Sequence, residues 1–213
     1  MDTENLILRL GADVKPADSR FVTPRLFVAL AIGSGLALLL LLFWQGLNPD
    51  LGNALKHRFF WMKAGYCLAL GAPALLSVSR LARPDGETPQ LALSFAVPIV
   101  LVAGIAAVEL VLTPSSQWLA MWLGHSWSLC PWRVLALSGP IFLALLWAFR
   151  AFAPTQLRLS GALAGVSAGA LGAMVYGLHC PESSALFLLT WYSLGIGLAA
   201  AVGALLGPRL LRW

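Results

Sequence analysis

LFVALAIGSGLALLLLLFWQGL, from Leu26 to Leu47, runs for twenty-two residues without a charge. A helix needs about 20 apolar residues to cross the hydrocarbon of a bilayer, so this one stretch is already long enough. Five more follow it: Phe59 to Ser79, Leu91 to Leu112, Arg133 to Phe149, Leu159 to Leu178 and Ser184 to Leu206. Turn residues and charges punctuate them, at Asn48-Pro49-Asp50, Arg83-Pro84-Asp85-Gly86, Thr113-Pro114-Ser115-Ser116, Ala153-Pro154 and Gly207-Pro208. In lipid an unpaired backbone finds no water, and the alternation of a β-barrel is missing, so the spans are helices. The expected fold is all-α: a polytopic membrane protein of six transmembrane helices. A cytoplasmic tail, residues 1–24, precedes a transmembrane domain, residues 25–213.

The composition agrees. Of 213 residues 59% are hydrophobic and 11% charged, against about 25% charged in soluble domains. The net charge of +5 is no nucleic-acid signature, because the basic residues sit between apolar runs and at the termini. That placement orients a membrane protein. With the N-terminus inside, ten Lys and Arg fall on the inner side: Arg9, Lys15, Arg20, Arg25, Arg80, Arg83, Arg150, Arg158, Arg209 and Arg212. Three fall outside, Lys56, Arg58 and Arg133, with Lys63 just within the second helix. Both termini are therefore expected in the cytoplasm. The first twenty residues are polar and mixed in charge, unlike a signal peptide.

This orientation puts His57, His125 and His179, with Cys130 and Cys180, in the outer connections, on the oxidising side of a bacterial inner membrane. Cys130-Pro131 and Cys180-Pro181 repeat one another, and each pair is expected to open a helix, since Pro suits the first helical position. A thiol at a helix N-terminus gains thiolate character and with it reactivity toward oxidants and soft metals. His125, His179 and Glu182 stand close by in sequence and complete a candidate set for a divalent or thiophilic metal ion at the outer face. The plainer reading is two helix starts and ordinary loop histidines. Cys67, inside the second span, reads as a small hydrophobe. Lys63 and Glu109 read as a tie between the second and third helices, or as snorkelling side chains. Gly161, Gly165 and Gly169 recur at every fourth position of the fifth helix, and Gly203 and Gly207 do so in the sixth, as helices in close contact require. Pro73, Pro98 and Pro140 are expected to kink their helices.

In the tail, Asp2 or Thr3 can cap a short helix ending at Gly11, with Leu6, Ile7 and Leu10 on one face. Such a helix is too short to stand alone in water. It is left disordered, lying on the membrane, or folding into a partner's groove.

Leu178-His179-Cys180-Pro181-Glu182, continuing to Phe187 and Trp191-Tyr192-Ser193-Leu194-Gly195, resembles the most specific motif of the NrsF family, six-helix bacterial anti-sigma factors for extracytoplasmic-function sigma factors. Trp127-x-x-Cys130 resembles the family's other cysteine site, and Thr3 to Asp13, with the Asp13-Val14-x-Pro16 turn, its cytoplasmic start. The resemblance implies a tail that holds a sigma factor, through Leu6, Ile7, Leu10 and Asp13. It also implies a sensor pair, Cys130 and Cys180, that releases the factor under metal or oxidative stress; it implies neither an enzyme nor a direct nucleic-acid contact. Two other classes remain open at this point. A small transporter or metal exporter would need ionisable groups at mid-membrane. A thiol oxidoreductase would need a second cysteine pair, and only Cys67 is left over.

Overall fold

The computed structural model describes residues 22–81, 90–150 and 156–212. The candidate sigma-binding residues Leu6, Ile7, Leu10 and Asp13 lie outside them. The described residues form helices and connections without a strand. The elements in order are α1 (Val22–Trp44), α2 (Leu51–Ala54), α3 (Arg58–Leu81), α4 (Leu91–Leu112), a 3₁₀ turn (Ser115–Gln117), α5 (Trp118–Leu123), α6 (Cys130–Phe149) and α7 (Leu157–Tyr176). Then come α8 (Ala185–Phe187), a π turn (Leu188–Tyr192) and α9 (Ser193–Leu210), which run on as one rod. Six of these stretches are long and apolar enough to cross a membrane: Pro24–Trp44, Arg58–Val78, Leu91–Leu112, Cys130–Phe149, Leu157–Tyr176 and Ala185–Leu210.

Composition decides which helix goes to the middle. Helix α7 is Gly- and Ala-rich, so it is thin, and 67% of its span is buried, against 17% for the leucine- and valine-rich α4. It packs on α9, α6, α3 and α1. The two glycine series found in the sequence are the two sides of one seam. A Cβ at Gly161 would overlap the carbonyl of Gly203, one at Gly165 the carbonyl of Ala199, and one at Gly207 the carbonyl of Leu157. The backbones of α7 and α9 thus touch with no side chain between them, and the contact is held by close-range dispersion, the approach that small residues allow. Gly33 lets α1 onto the Ile141 backbone of α6 in the same way, and Gly172 lets α7 onto Ser138.

Several boundaries move. Helix α6 begins at Cys130 rather than Arg133, with Pro131 in its first turn. Pro208 does not end the last helix, which continues to Leu210. The sixth span opens where its apolar run was expected to begin, with Ser184 as N-cap, its hydroxyl accepting from Leu186 N and Phe187 N, and Ala185 as first helical residue; it does not open at Cys180-Pro181. A Ser side chain satisfies helix donors that a Cys-Pro pair leaves bare, and it sets the start. Pro73, Pro98 and Pro140 all lie inside continuous helices.

Candidate functional site

The candidate site is built around the 177–184 connection between α7 and α8. Helix α7 ends in a tight turn, with the N–H of Cys180 reaching back to Tyr176 O at 3.0 Å. Beyond it Pro181 removes a donor, and the chain runs irregularly to the Ser184 cap. An irregular backbone needs partners from elsewhere, and here they come from every earlier part of the bundle. The carbonyl of Leu178 accepts from Asn48 N at 3.1 Å, and Lys63 Nζ donates to the carbonyl of Cys180 at 3.0 Å. One oxygen of Glu109, Oε2, accepts from Ser184 Oγ, Ala185 N and Leu186 N at 3.1, 2.8 and 3.4 Å. Oε1 of Glu182 accepts from His125 N at 2.7 Å and Ser126 Oγ at 3.4 Å. A Cβ at Gly124 (φ +56°) would strike the Glu182 carboxyl, so glycine serves there for closeness as well as conformation.

The two charges inside the spans therefore do not tie α3 to α4. Both reach the same connection: Lys63 through a carbonyl, Glu109 through free N–H groups at the start of α8, where a helix dipole favours an anion.

His179 is held on both sides. A carbonyl can only accept, so Nδ1, 3.1 Å from Gly46 O, carries the proton; Nε2 is left to accept from Arg133 Nη1 at 3.4 Å. With both ring nitrogens engaged, it has none to offer a metal. His125 sits apart, its side chain fully exposed and its Nδ1 3.8 Å from Glu182 Oε1. Among the described residues no group of three or more His, Cys, Asp or Glu side chains is gathered to hold a metal ion. The connection pulls His125 and Glu182 together but sends the thiols elsewhere.

The thiols point into the protein. Cys130 is 0% and Cys180 3% exposed, both are unbridged, and they share one buried cluster with Tyr176, Tyr192 and Phe187. Cys67, 1% exposed, belongs to the same cluster, a neighbour that its place in the second span did not announce. The expected pair of helix-opening thiolates is thus corrected. Cys130 does stand in the first turn of α6, but it is closed to solvent and its own N–H is taken by Ser126 O at 2.8 Å. Cys180 precedes the next helix cap by four residues.

The residues that sequence reasoning missed are the tyrosines. Tyr176 and Tyr192 are fully buried with ring centroids 5.9 Å apart, and the hydroxyl of Tyr192 faces the Cys180 side chain. Neither hydroxyl closes a well-formed hydrogen bond among the described residues. A phenol in an otherwise apolar run is the signal that could have found them, since a buried O–H normally has a partner. Over the cluster lies an aromatic lid: Trp191 rests against Trp122 and Trp127, at 5.7 and 5.3 Å between centroids, and its Nε1 donates to Trp122 O at 2.8 Å.

The pattern of the NrsF family, described as negative regulator of sigma F, matches residues 10–213. The chain is 38% identical over 213 residues to the probable anti-sigma-F factor NrsF of Azospira oryzae, with all of both chains covered. It is 38% identical over 214 residues to the anti-sigma-F factor NrsF of Caulobacter vibrioides, again with all of both covered. No solved structure gives a significant match.

Proposed function

We propose, from the premise that this chain belongs to the NrsF family of negative regulators of sigma F, that it restrains its sigma factor from the bacterial inner membrane and releases it when the buried thiols are engaged. Both termini face the cytoplasm. The tail, through Leu6, Ile7, Leu10 and Asp13, holds a sigma factor of the extracytoplasmic-function type, and the 177–184 end of the bundle faces the periplasm. The regulator catalyses no turnover.

One observation supports the sensing half above all others: the connection that carries Cys180 is bonded to α3, α4, α6 and the loops after α1 and α5, and the thiols lie closed beneath it. A soft metal or oxidant that takes up both sulfurs must part this packing. The agent then binds the opened arrangement better than the closed one and shifts the population toward it. The transporter alternative is weakened by the same bonds, since Lys63 and Glu109 are committed at one end of the bundle rather than placed at its middle.

The test is capture of the partner. Full-length tagged protein, solubilised from its own membranes, should bring down a sigma factor, and cadmium or a mild oxidant should lower the yield. If no sigma factor comes down from unstressed membranes, the restraint is wrong. If one does and stress leaves it bound, the restraint stands and the sensing reading fails.

A further inference from the structure

Two other connections share the cysteine end of the bundle with 177–184, and they differ in kind. The one between α1 and α3 carries Asn48, Asp50, Asn53 and Lys56, as a stretch that meets water does. The one between α4 and α6 carries no formal charge: from Leu110 to Trp132 there is no Lys, Arg, Asp or Glu. Four of the nine tryptophans fall in that stretch, Trp118, Trp122, Trp127 and Trp132.

The bundle does not bury these side chains. Leu119 is 62% exposed, and Trp118, Trp122, Trp127 and Leu129 also stand open. The exposed apolar surface continues at both ends into that of a span, through Val111 and Leu112 in the last turn of α4 and Trp132 in the first turn of α6. A patch of this kind is costly in water and marks a contact surface. The stretch also supplies many of its own hydrogen bonds. Gln117 N donates to Pro114 O at 2.9 Å, Gly124 N to Ala120 O at 2.8 Å, and Leu129 N and Cys130 N to Ser126 O at 3.2 and 2.8 Å. The indole of Trp118 donates to Leu110 O and Thr113 O, both at 3.0 Å. Backbone closed on itself and tryptophans turned outward are what the boundary between headgroups and acyl chains favours.

We infer that the 113–129 connection is seated in that boundary, in the leaflet at the cysteine end, and that lipid thereby holds the lid over the thiols. Trp122 and Trp127 are the residues on which Trp191 rests, and Trp122 O takes the Trp191 Nε1 proton. The turn at 124–126 takes the Glu182 carboxylate. Lipid that grips α5 therefore fixes the height of both covers, while His125, its side chain fully exposed, stands on the watery side. The inference rests on the chain spanning a bilayer and is independent of thiol sensing.

Full-length protein in phosphatidylcholine–phosphatidylglycerol vesicles, nitroxide-labelled at Leu119→Cys, Asn53→Cys or Val100→Cys, is tested for collision with oxygen and with a water-soluble nickel chelate. The native thiols, at most 3% exposed, label slowly. The Leu119→Cys label should prefer oxygen, as the Val100→Cys label in the α4 span does, and the Asn53→Cys label should prefer the chelate. A Leu119→Cys label that matches Asn53→Cys overturns the seat; a Val100→Cys label that also meets the chelate overturns the span itself. In the unaltered protein, hydroxyl radicals should spare Trp118 relative to its intrinsic reactivity and oxidise His125; equal attack on both also overturns the seat. In vesicles Leu119→Glu should speed maleimide labelling of Cys130 and Cys180 several-fold, while Leu119→Phe, still apolar, leaves the rates unchanged. Unchanged rates in Leu119→Glu, or equal acceleration by both variants, would show that lipid does not hold the lid.

Discussion

Among the described residues the Tyr192 hydroxyl closes no well-formed hydrogen bond, although it faces the buried Cys180 side chain. An unsatisfied buried polar group costs about 1–3 kcal/mol, so Tyr192→Phe should hold or raise the thermal midpoint of the purified protein. A fall in that midpoint would show that the hydroxyl is bonded after all. The cysteines yield a second expectation at this scale. In the resting protein Cys67, Cys130 and Cys180 should all react slowly with a maleimide until denaturant is added, because each is at most 3% exposed. Cys130→Ser and Cys180→Ser should each abolish the response to cadmium or oxidant, with the double variant no worse than either single one, as for a pair acting as a unit. Normal responses from both serine variants would return the pair to a packing role.

Among the elements, the sixth span shows what could be read beforehand and what could not. Its existence was plain, because more than twenty apolar residues leave no other fate in lipid. Its start was not, because the apolar run points to Ser184 and the Cys180-Pro181 pair to an earlier opening. Cys180-Pro181 looks like a helix opening in isolation, yet the side chains that set the start are Ser184 and Glu109, and the latter stands 76 residues earlier. Ser184→Ala should cost ~1 kcal/mol, and Glu109→Gln more, since it weakens three bonds to one oxygen. Unfolding in a mild detergent series measures both; a larger loss for Ser184→Ala than for Glu109→Gln would reverse the ranking. The glycine series were legible as packing surfaces, but only the structure pairs them with each other. Gly203→Leu puts a side chain into a backbone contact and should cost about 3 kcal/mol or more. Gly197→Leu, on an open face of the same helix, should cost far less.

For the whole molecule, the proposed sidedness rests on the placement of Lys and Arg; on it, a reporter active only in the cytoplasm should work at either terminus and at Pro84 but fail near Ser126. Activity at Ser126 would invert every assignment of inside and outside. If the tail holds the sigma factor as proposed, Leu6→Asp or Leu10→Asp should free it without lowering the amount of regulator in the membrane, because a charge buried in an apolar contact costs a few kcal/mol of binding. Repression that survives both substitutions would move the contact away from that face. The convergence on 177–184 was hidden from sequence reading for a simple reason. Its bonds join residues 46 to 133 positions apart, and no local pattern records which loops share one end of a bundle. The glycine seam has a last, mechanical consequence. Backbones in direct contact at Gly161 and Gly203 make a natural fulcrum for the sixth span. At 1.5 Å per residue the rod reaches roughly 27 Å from Gly203 to Ala185 but only about 10 Å to Leu210. Were it to tilt there, it would act as a lever with its long arm at the cysteine end, trading distance for force. A displacement at Ala185 would arrive at Leu210 less than half as large and correspondingly stronger, suited to prising apart a tight contact rather than to carrying a segment across space.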